Sequence, residues 1–312
     1  MKAVQINRYG DPEVLEVNSS AAEPQLKPGQ ILVGIEAVGI NPFDFFILKG
    51  LVKDYIKQNF PLTMGGDFSG VVARLGEGVN QYKEGDRVFG TAIILNGSSG
   101  ALAQRASVTV SSTAPAPKNL DFIQTASLPL VGSSAVQALE DEIKLKKGQK
   151  ILIHGGAGGI GSFSIQLAKS IGAYVATTVS EKDIEFVKSL GADEVVDYNK
   201  EKFEEKLKNY DAVYDTIGGP VMEKSFLVLK KNGVLASMKG QPDQGLAKQY
   251  GIISIAINTK TDTTHLDRVR ELAESGIVRP EVDKVFAVDQ VKEAYLYKQQ
   301  GHPRGKVIVA IK

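Results

Sequence analysis

Five glycines stand within the seven residues Gly155 to Gly161, in the stretch "HGGAGGIGSFSIQLAK". A segment with so little side chain bares its backbone N–H groups, which are good donors to an anion. Gly156, Gly158 and Gly161 satisfy the pattern G-x-G-x-x-G. In that pattern the first glycine permits a tight turn, the second lets the backbone approach a pyrophosphate, and the third lets a helix lie close on a strand. The context is the one the pattern requires: "KILIH" before it is an apolar, β-rich run, and "IGSFSIQLAK" after it has helical spacing. The start of that helix adds the oriented N–H groups of Gly159, Ile160 and Gly161, with partial positive charge. The chemistry expected is dinucleotide binding; a tight structural turn is the plainer alternative.

The next β-rich run, "AYVATTVS", bears on which dinucleotide. Sites for NAD usually place an Asp or Glu about 20 residues beyond the glycines, on the ribose 2′-OH. Here the run ends in Thr177, Thr178 and Ser180, and the first acid is Glu181, with Lys182 directly after it. A hydroxyl on Ser180 and an ammonium on Lys182 suit a 2′-phosphate, and Tyr198, after the following strand, offers a phenolic donor. NADPH is therefore the expected cofactor. Lys182 also reads as an ordinary solvated lysine, and Glu181 keeps a ribose contact, and so NADH, open.

These residues need elements to hold them. From about residue 120 onward, strands and helices alternate: "QKILIHG", "AYVATTV", "DEVVDY", "YDAVYDTIG" and "GVLASM" are strands, with helical runs between them. Helices are expected to end at Gly172, Gly191 and Gly233, where a left-handed cap favours glycine. Such alternation predicts an α/β fold with a doubly wound parallel sheet. The first 110 residues instead carry many short β-rich runs with turn signals, as in a barrel or sandwich, interrupted by one helix near 43–49. The closing run "GKVIVAIK" is β-like and is expected to return to that first part.

Composition narrows the classes. A chain of 312 residues suits about two domains. Its net charge of +1 gives no basic field for nucleic acid or an anionic membrane. The apolar runs are too short to span a bilayer, and the N-terminus shows no signal-peptide pattern, so a cytoplasmic protein is expected. There is no cysteine and there are three scattered histidines, which leaves no spacing for a zinc site.

With these parts assembled, the chain resembles the zinc-free quinone oxidoreductase, zeta-crystallin-like branch of the medium-chain dehydrogenase/reductase superfamily. The likeness runs over nearly the whole length, through "GINPFDFFILKG", "FPLTMGGDFSGVV", "GDRVFG", "SLPLVGSSAVQAL", "GGAGGIG", "SLGADEVVDY", "YDTIGG" and "GKVIVAI". It implies a GroES-like β-barrel catalytic domain (1–118 and 260–312), a Rossmann domain (119–259) and a cofactor in the cleft between them. It also implies a homodimer, through pairing of "GIISIAIN" with its copy. By the same resemblance Asn41 would lie near nicotinamide and substrate, Ser134 near a phosphate or ribose, Gly218 and Gly219 along the adenosine side, and Met238 and Lys239 beside the nicotinamide. Arg304 would approach cofactor or substrate. Each has a plainer reading: Asn41 as a turn starter, Asp44 as a helix cap, Asp67 as structural although zinc-dependent relatives place a metal ligand near it, Ser134 as a small packing residue, Arg304 as a surface arginine.

The chemistry implied is hydride transfer from NADPH to a small electrophile, a quinone or α,β-unsaturated carbonyl, which needs little Lewis-acid help; Asn41, a hydroxyl or water would meet the charge on oxygen. No dedicated proton donor is visible. Tyr198 and Lys202 share the Tyr-x-x-x-Lys spacing of short-chain dehydrogenases but follow the third strand rather than the fourth, which makes chance the better account. An enoyl thioester reductase and a non-catalytic NADPH-binding protein are the rival readings.

Overall fold

Short strands open the computed structural model, which describes residues 1–56 and 59–311. They are β1 (Ala3–Ile6), β2 (Glu16–Asn18) and β3 (Gln30–Gly39), entered through a turn in which Gly29 has a positive φ. Helix α1 (Pro42–Leu48) follows, with proline in its first turn where a missing N–H costs nothing. Then come β4 (Leu62–Thr63), β5 (Asp67–Leu75), β6 (Arg87–Thr91), β7 (Arg105–Thr109), β8 (Thr113–Pro115) and α2 (Phe122–Ala126).

The middle of the chain alternates as its periodicity predicts. Helix α3 (Pro129–Val136) runs on into a wider turn, closed by Ile143 N–H to Ala138 O at 2.9 Å. After it come β9 (Lys150–His154), α4 (Gly159–Ile171), β10 (Tyr174–Val179), α5 (Ile184–Ser189), β11 (Glu194–Asp197), α6 (Phe203–Lys206) and β12 (Tyr210–Asp215). Next are α7 (Pro220–Lys224), β13 (Leu229–Ser237), α8 (Gln244–Tyr250) and β14 (Ile253–Ala256). The chain closes with α9 (Thr263–Glu274), β15 (Val282–Ala287), α10 (Val291–Gln300) and β16 (Lys306–Ala310).

Two units result: residues 1–130, 261–274 and 280–312 form one, and 131–260 with 275–279 the other. The division comes after residue 130 rather than 118 because α2 packs on β3 and β5. In the first unit β15, β16, β3, β5, β6, β7 and β8 make a mixed sheet in which the returning β16 pairs antiparallel with β3. This is the GroES-like part. In the second unit six parallel strands run in the order β11-β10-β9-β12-β13-β14, the doubly wound order of a Rossmann fold.

Two of the expected caps are glycines in the left-handed region, Gly172 at φ +89° and Gly191 at φ +104°. Gly233 is not a cap. The helix that was to reach it is short, and Gly233 lies inside β13, where a Cβ would come within 2.9 Å of Lys230 O and 3.1 Å of Asp211 O. The left-handed position falls to Asn232 at φ +65°, whose N–H meets Gly251 O at 2.7 Å.

Candidate functional site

In the second unit the order in which strands are added reverses at β9, whose neighbours are β10 on one side and β12 on the other. Ligands of such sheets bind beyond the strand ends at this switch point, and the glycine loop lies there. Gly155 leaves β9 at φ +72°, and a Cβ on it would come within 2.8 Å of Thr216 Oγ1 in the loop after β12. A Cβ on Gly156 would stand closer than 3.0 Å to Thr177 Oγ1, and one on Gly161 closer than 3.0 Å to Gly155 O and Gly156 Cα. Those two glycines are required by the protein itself. Gly158 is different: its Cβ would sit 3.5 Å from Gly155 O, an ordinary contact. Its bareness keeps the outer side of the loop as backbone alone.

Helix α4 starts at Gly159 with no acid in its first turn. Its leading N–H groups, those of Gly159, Ile160 and Gly161, have no acceptor within the helix. Beneath the loop, His154 is fully buried, with Nδ1 3.0 Å from Thr178 Oγ1 and Nε2 3.0 Å from Ser225 Oγ. Burial drives its pKa down to about 4 against the pull of Asp215 and Glu204, so His154 itself carries no positive charge under the loop at neutral pH. A bare N–H cradle at a switch point fits the pyrophosphate of a dinucleotide.

Beyond β10, Ser180 donates to Asp183 Oδ2 at 3.0 Å, and Lys182 follows on an exposed turn. Tyr198 belongs to the same corner: its N–H meets Val179 O at 3.1 Å while its ring stays exposed. The structure adds Lys200, whose ammonium lies 2.7 Å from Glu181. Thr177 and Thr178 turn inward, onto Ile153 O and His154. Lys202 pairs with Glu205 at 2.8 Å.

At the ends of β12, β13 and β14 a third group forms. Ser134 is buried, and its hydroxyl lies 2.7 Å from Thr259 Oγ1, which in turn lies 4.0 Å from Met238 Sδ. Gly218, at φ +82°, donates its N–H to the buried Asp215 carboxylate at 3.0 Å, and Ser237 Oγ donates to the same group at 2.8 Å. A Cβ on Gly218 would strike Lys239 Cβ at 2.6 Å, while Gly219 faces open space. Thr259 and Asp215 were missed in the sequence; a single Asp inside "YDTIGG" has no spacing to mark it.

The first unit holds a buried polar corner. Asn41 starts α1, and its main-chain N–H meets Asp44 Oδ2 at 2.7 Å. Lys306, at the start of β16, donates to Ile40 O at 3.2 Å, to Asn41 Oδ1 and to Asp67 Oδ2 at 3.3 Å. Asp67 Oδ2 also accepts the Leu130 N–H at 3.2 Å, and the Asn41 side chain favours the charged form of the Asp67 carboxyl. Asn41, Asp44, Asp67 and Lys306 are each no more than 5% exposed. Burial pushes the Asp44 carboxyl up to about 7, and pushes that of Asp67 up against the pull of Lys306. Lys306 was also missed, although it stands in the quoted "GKVIVAI". Arg304 lies on the exposed turn before β16, its N–H 3.2 Å from Asp283 Oδ1. Phe46, Leu51, Tyr55 and Phe60 are exposed, with the Phe60 ring 5.0 Å from that of Tyr9. Among the described residues no three His, Cys, Asp or Glu side chains gather into a metal-binding group.

Known proteins share this plan. Residues 27–118 match the alcohol dehydrogenase GroES-like domain family, and residues 190–309 match the zinc-binding dehydrogenase family. A 2-methylene-furan-3-one reductase of Solanum lycopersicum is 36% identical, over 99% of this chain and 79% of its own length. An NADPH-dependent alkenal/one oxidoreductase, chloroplastic, of Arabidopsis thaliana is 35% identical over the same shares. The solved structure of the quinone oxidoreductase from Coxiella burnetii superposes with a TM-score of 0.92 at 31% identity, covering 100% of this chain and 99% of that one.

Proposed function

Because this chain belongs to the zinc-free quinone oxidoreductase, zeta-crystallin-like branch of the medium-chain dehydrogenase/reductase superfamily, we propose that it is an NADPH-dependent reductase of quinones and α,β-unsaturated carbonyls. The glycine turn at the switch point carries this reading. Two of its glycines are demanded by close packing, Gly156 against the Thr177 side chain and Gly161 against the backbone of Gly155 and Gly156, and the third keeps an N–H surface bare. Gly156, Gly158, Gly159, Ile160 and Gly161 would hold the pyrophosphate. Ser180, Lys182 and Tyr198, joined by Lys200, offer hydroxyls and ammonium groups to a 2′-phosphate, and Gly218, across β9 at the end of β12, would let the adenosine pass close to the backbone. Ser134 and Met238, with Thr259, would border the nicotinamide end. Bound NADPH supplies the hydride.

What the chain itself must do is hold the acceptor and meet the charge that grows on its oxygen. Asn41 is the donor proposed for that oxygen. The exposed apolar side chains of Phe46, Leu51, Tyr55 and Phe60 suit a planar quinone or an alkenal. The named relatives act on molecules of this type: a 2-methylene-furan-3-one, alkenals and alkenones, and quinones. Arg304, on the exposed turn before β16, would offer its guanidinium to an anionic ligand.

A homodimer through β14 is part of the proposal. That strand is hydrogen-bonded on one side only among the described residues, and Ile253 on it is 55% exposed.

The test follows NADPH oxidation at the nicotinamide absorbance, with an ortho-quinone and with an alkenal, and NADH in parallel. Fast oxidation with NADPH and slow oxidation with NADH is expected. Binding of NADPH without turnover of either acceptor overturns the reading in favour of an enoyl thioester reductase or a non-catalytic binder.

A further inference from the structure

We propose that Lys306 is a positioning residue for carbonyl reduction: it locks the Asn41 amide in one flip, so that an Nδ2–H is the group presented to the reacting oxygen. This rests on the reading of Asn41 given above and adds the residue through which it works.

Strand register brings the two together. Ile308 pairs with Gly39 across β16 and β3, so two residues further along, Lys306 comes opposite Asn41. On the other side of β3, Gly39 pairs with Asp67. That same glycine is packed tightly: a Cβ on Gly39 would come within 2.5 Å of Ala126 O, 3.1 Å of Lys306 Cε and 3.3 Å of its Nζ.

The ammonium has three donors and no acceptor. Its three partners are Ile40 O, Asn41 Oδ1 and Asp67 Oδ2, so every donor is used. An asparagine side chain that faces such a group must turn its oxygen to it. The reverse flip would set an NH2 against an NH3⁺ in a buried corner, where repulsion is poorly screened. With its oxygen turned to the ammonium, the amide has only its Nδ2–H groups left to offer a ligand.

Asn41 is not spent on capping α1. Asp44 takes the Asn41 main-chain N–H, and the Asp44 N–H goes to the Asn41 main-chain carbonyl at 3.1 Å. The amide is thus oriented by a buried ion pair rather than by the helix it precedes. A buried ion pair is poor value as a stabiliser beside an apolar pair of the same size; fixing a neighbour's orientation is a use an apolar pair does not have.

The experiment joins two readouts. In protein labelled with 15N-asparagine, the Asn41 side-chain amide is assigned by its disappearance in Asn41→Asp. It is expected to give a slowly exchanging pair of signals in the wild type, with exchange at least about tenfold faster in Lys306→Met. In a double-mutant cycle, Lys306→Met is expected to lower kcat by about 10- to 100-fold with the NADPH Kd unchanged, and to have no further effect in Asn41→Ala. The double variant Asp67→Asn/Lys306→Met removes both members of the ion pair together and serves if the single variant fails to fold; the same loss of kcat is expected. Unchanged amide exchange, or an equal loss of kcat with and without Asn41, overturns the proposal. No wild-type turnover with quinones or alkenals overturns the reading of the reaction instead, and the amide signals then decide the hold of Lys306 on Asn41 by themselves.

Discussion

The Gly155 carbonyl fills the space that a Cβ on Gly161 would need, while the same carbonyl stands 3.5 Å from where a Cβ on Gly158 would sit. Two glycines of one motif are therefore there for different reasons, and they separate experimentally. Gly161→Ala forces backbone apart and is expected to cost about 1–3 kcal/mol of stability along with NADPH binding. Gly158→Ala is expected to keep its Tm and to weaken NADPH about tenfold or more, because only the ligand meets the new methyl group. Thermal melts with and without NADPH distinguish the two; equal losses of Tm would sink the distinction.

At the phosphate corner the Lys200 ammonium is held 2.7 Å from Glu181. The carboxylate competes with a 2′-phosphate for that cation. Glu181→Gln is expected to tighten NADPH several-fold and leave NADH unchanged. Lys200→Ala and Lys182→Ala are each expected to weaken NADPH about tenfold, the size of one charge-assisted hydrogen bond. Fluorescence titrations at two salt concentrations check this, since the effect must shrink with screening.

Asp44 gives a pH dependence with a definite sign. Burial, aided by Asp67 and opposed by the Asn41 N–H and Lys306, pushes its carboxyl up to about 7, and the buried Tyr295 faces it from α10. An unfolded chain releases that proton at about pH 3.9. Between these values the folded state binds more protons, so this stabilising contribution is full below about pH 4 and is lost as pH rises through 7. Asp44→Asn keeps an acceptor for Asn41 and cannot ionise. It is expected to gain on the wild type steadily from pH 4 to 7, by roughly 2–4 kcal/mol at the upper end. His154 runs the other way, with a pKa lowered to about 4, so its contribution is present above about 6.5 and lost on acidification. Urea unfolding across this range should therefore show the variant rising more steeply with pH than the wild type; parallel curves would count against the assignment.

The edge strand β14 supplies a fourth expectation. Placing a charge at its exposed apolar position, Ile253→Lys, is expected to halve the mass seen by light scattering while leaving the fold intact by circular dichroism. A wild type that runs as a monomer removes the dimer from the proposal.

Much of this was legible in the chain. Glycine spacing, apolar runs and helical periodicity are local properties, and they announced the loop, five of the six parallel strands and the cofactor class. One local signal misled: Gly233 looks like a helix stop, yet Pro220 starts only a short helix and β13 begins before the glycine is reached.

Neither composition nor spacing marked Lys306, Asp215, Thr259 or Lys200. Lys306 and Asp67 are 239 residues apart and meet because β3 pairs with β5 on one side and β16 on the other. A lysine at the head of an apolar strand looks like a solvated end until that register buries it. By itself the sequence determined the elements, the dinucleotide turn and the superfamily, because those depend on neighbours along the chain. Only the tertiary structure decided which way the Asn41 amide faces and which cation holds it, because pairing of distant strands sets those contacts.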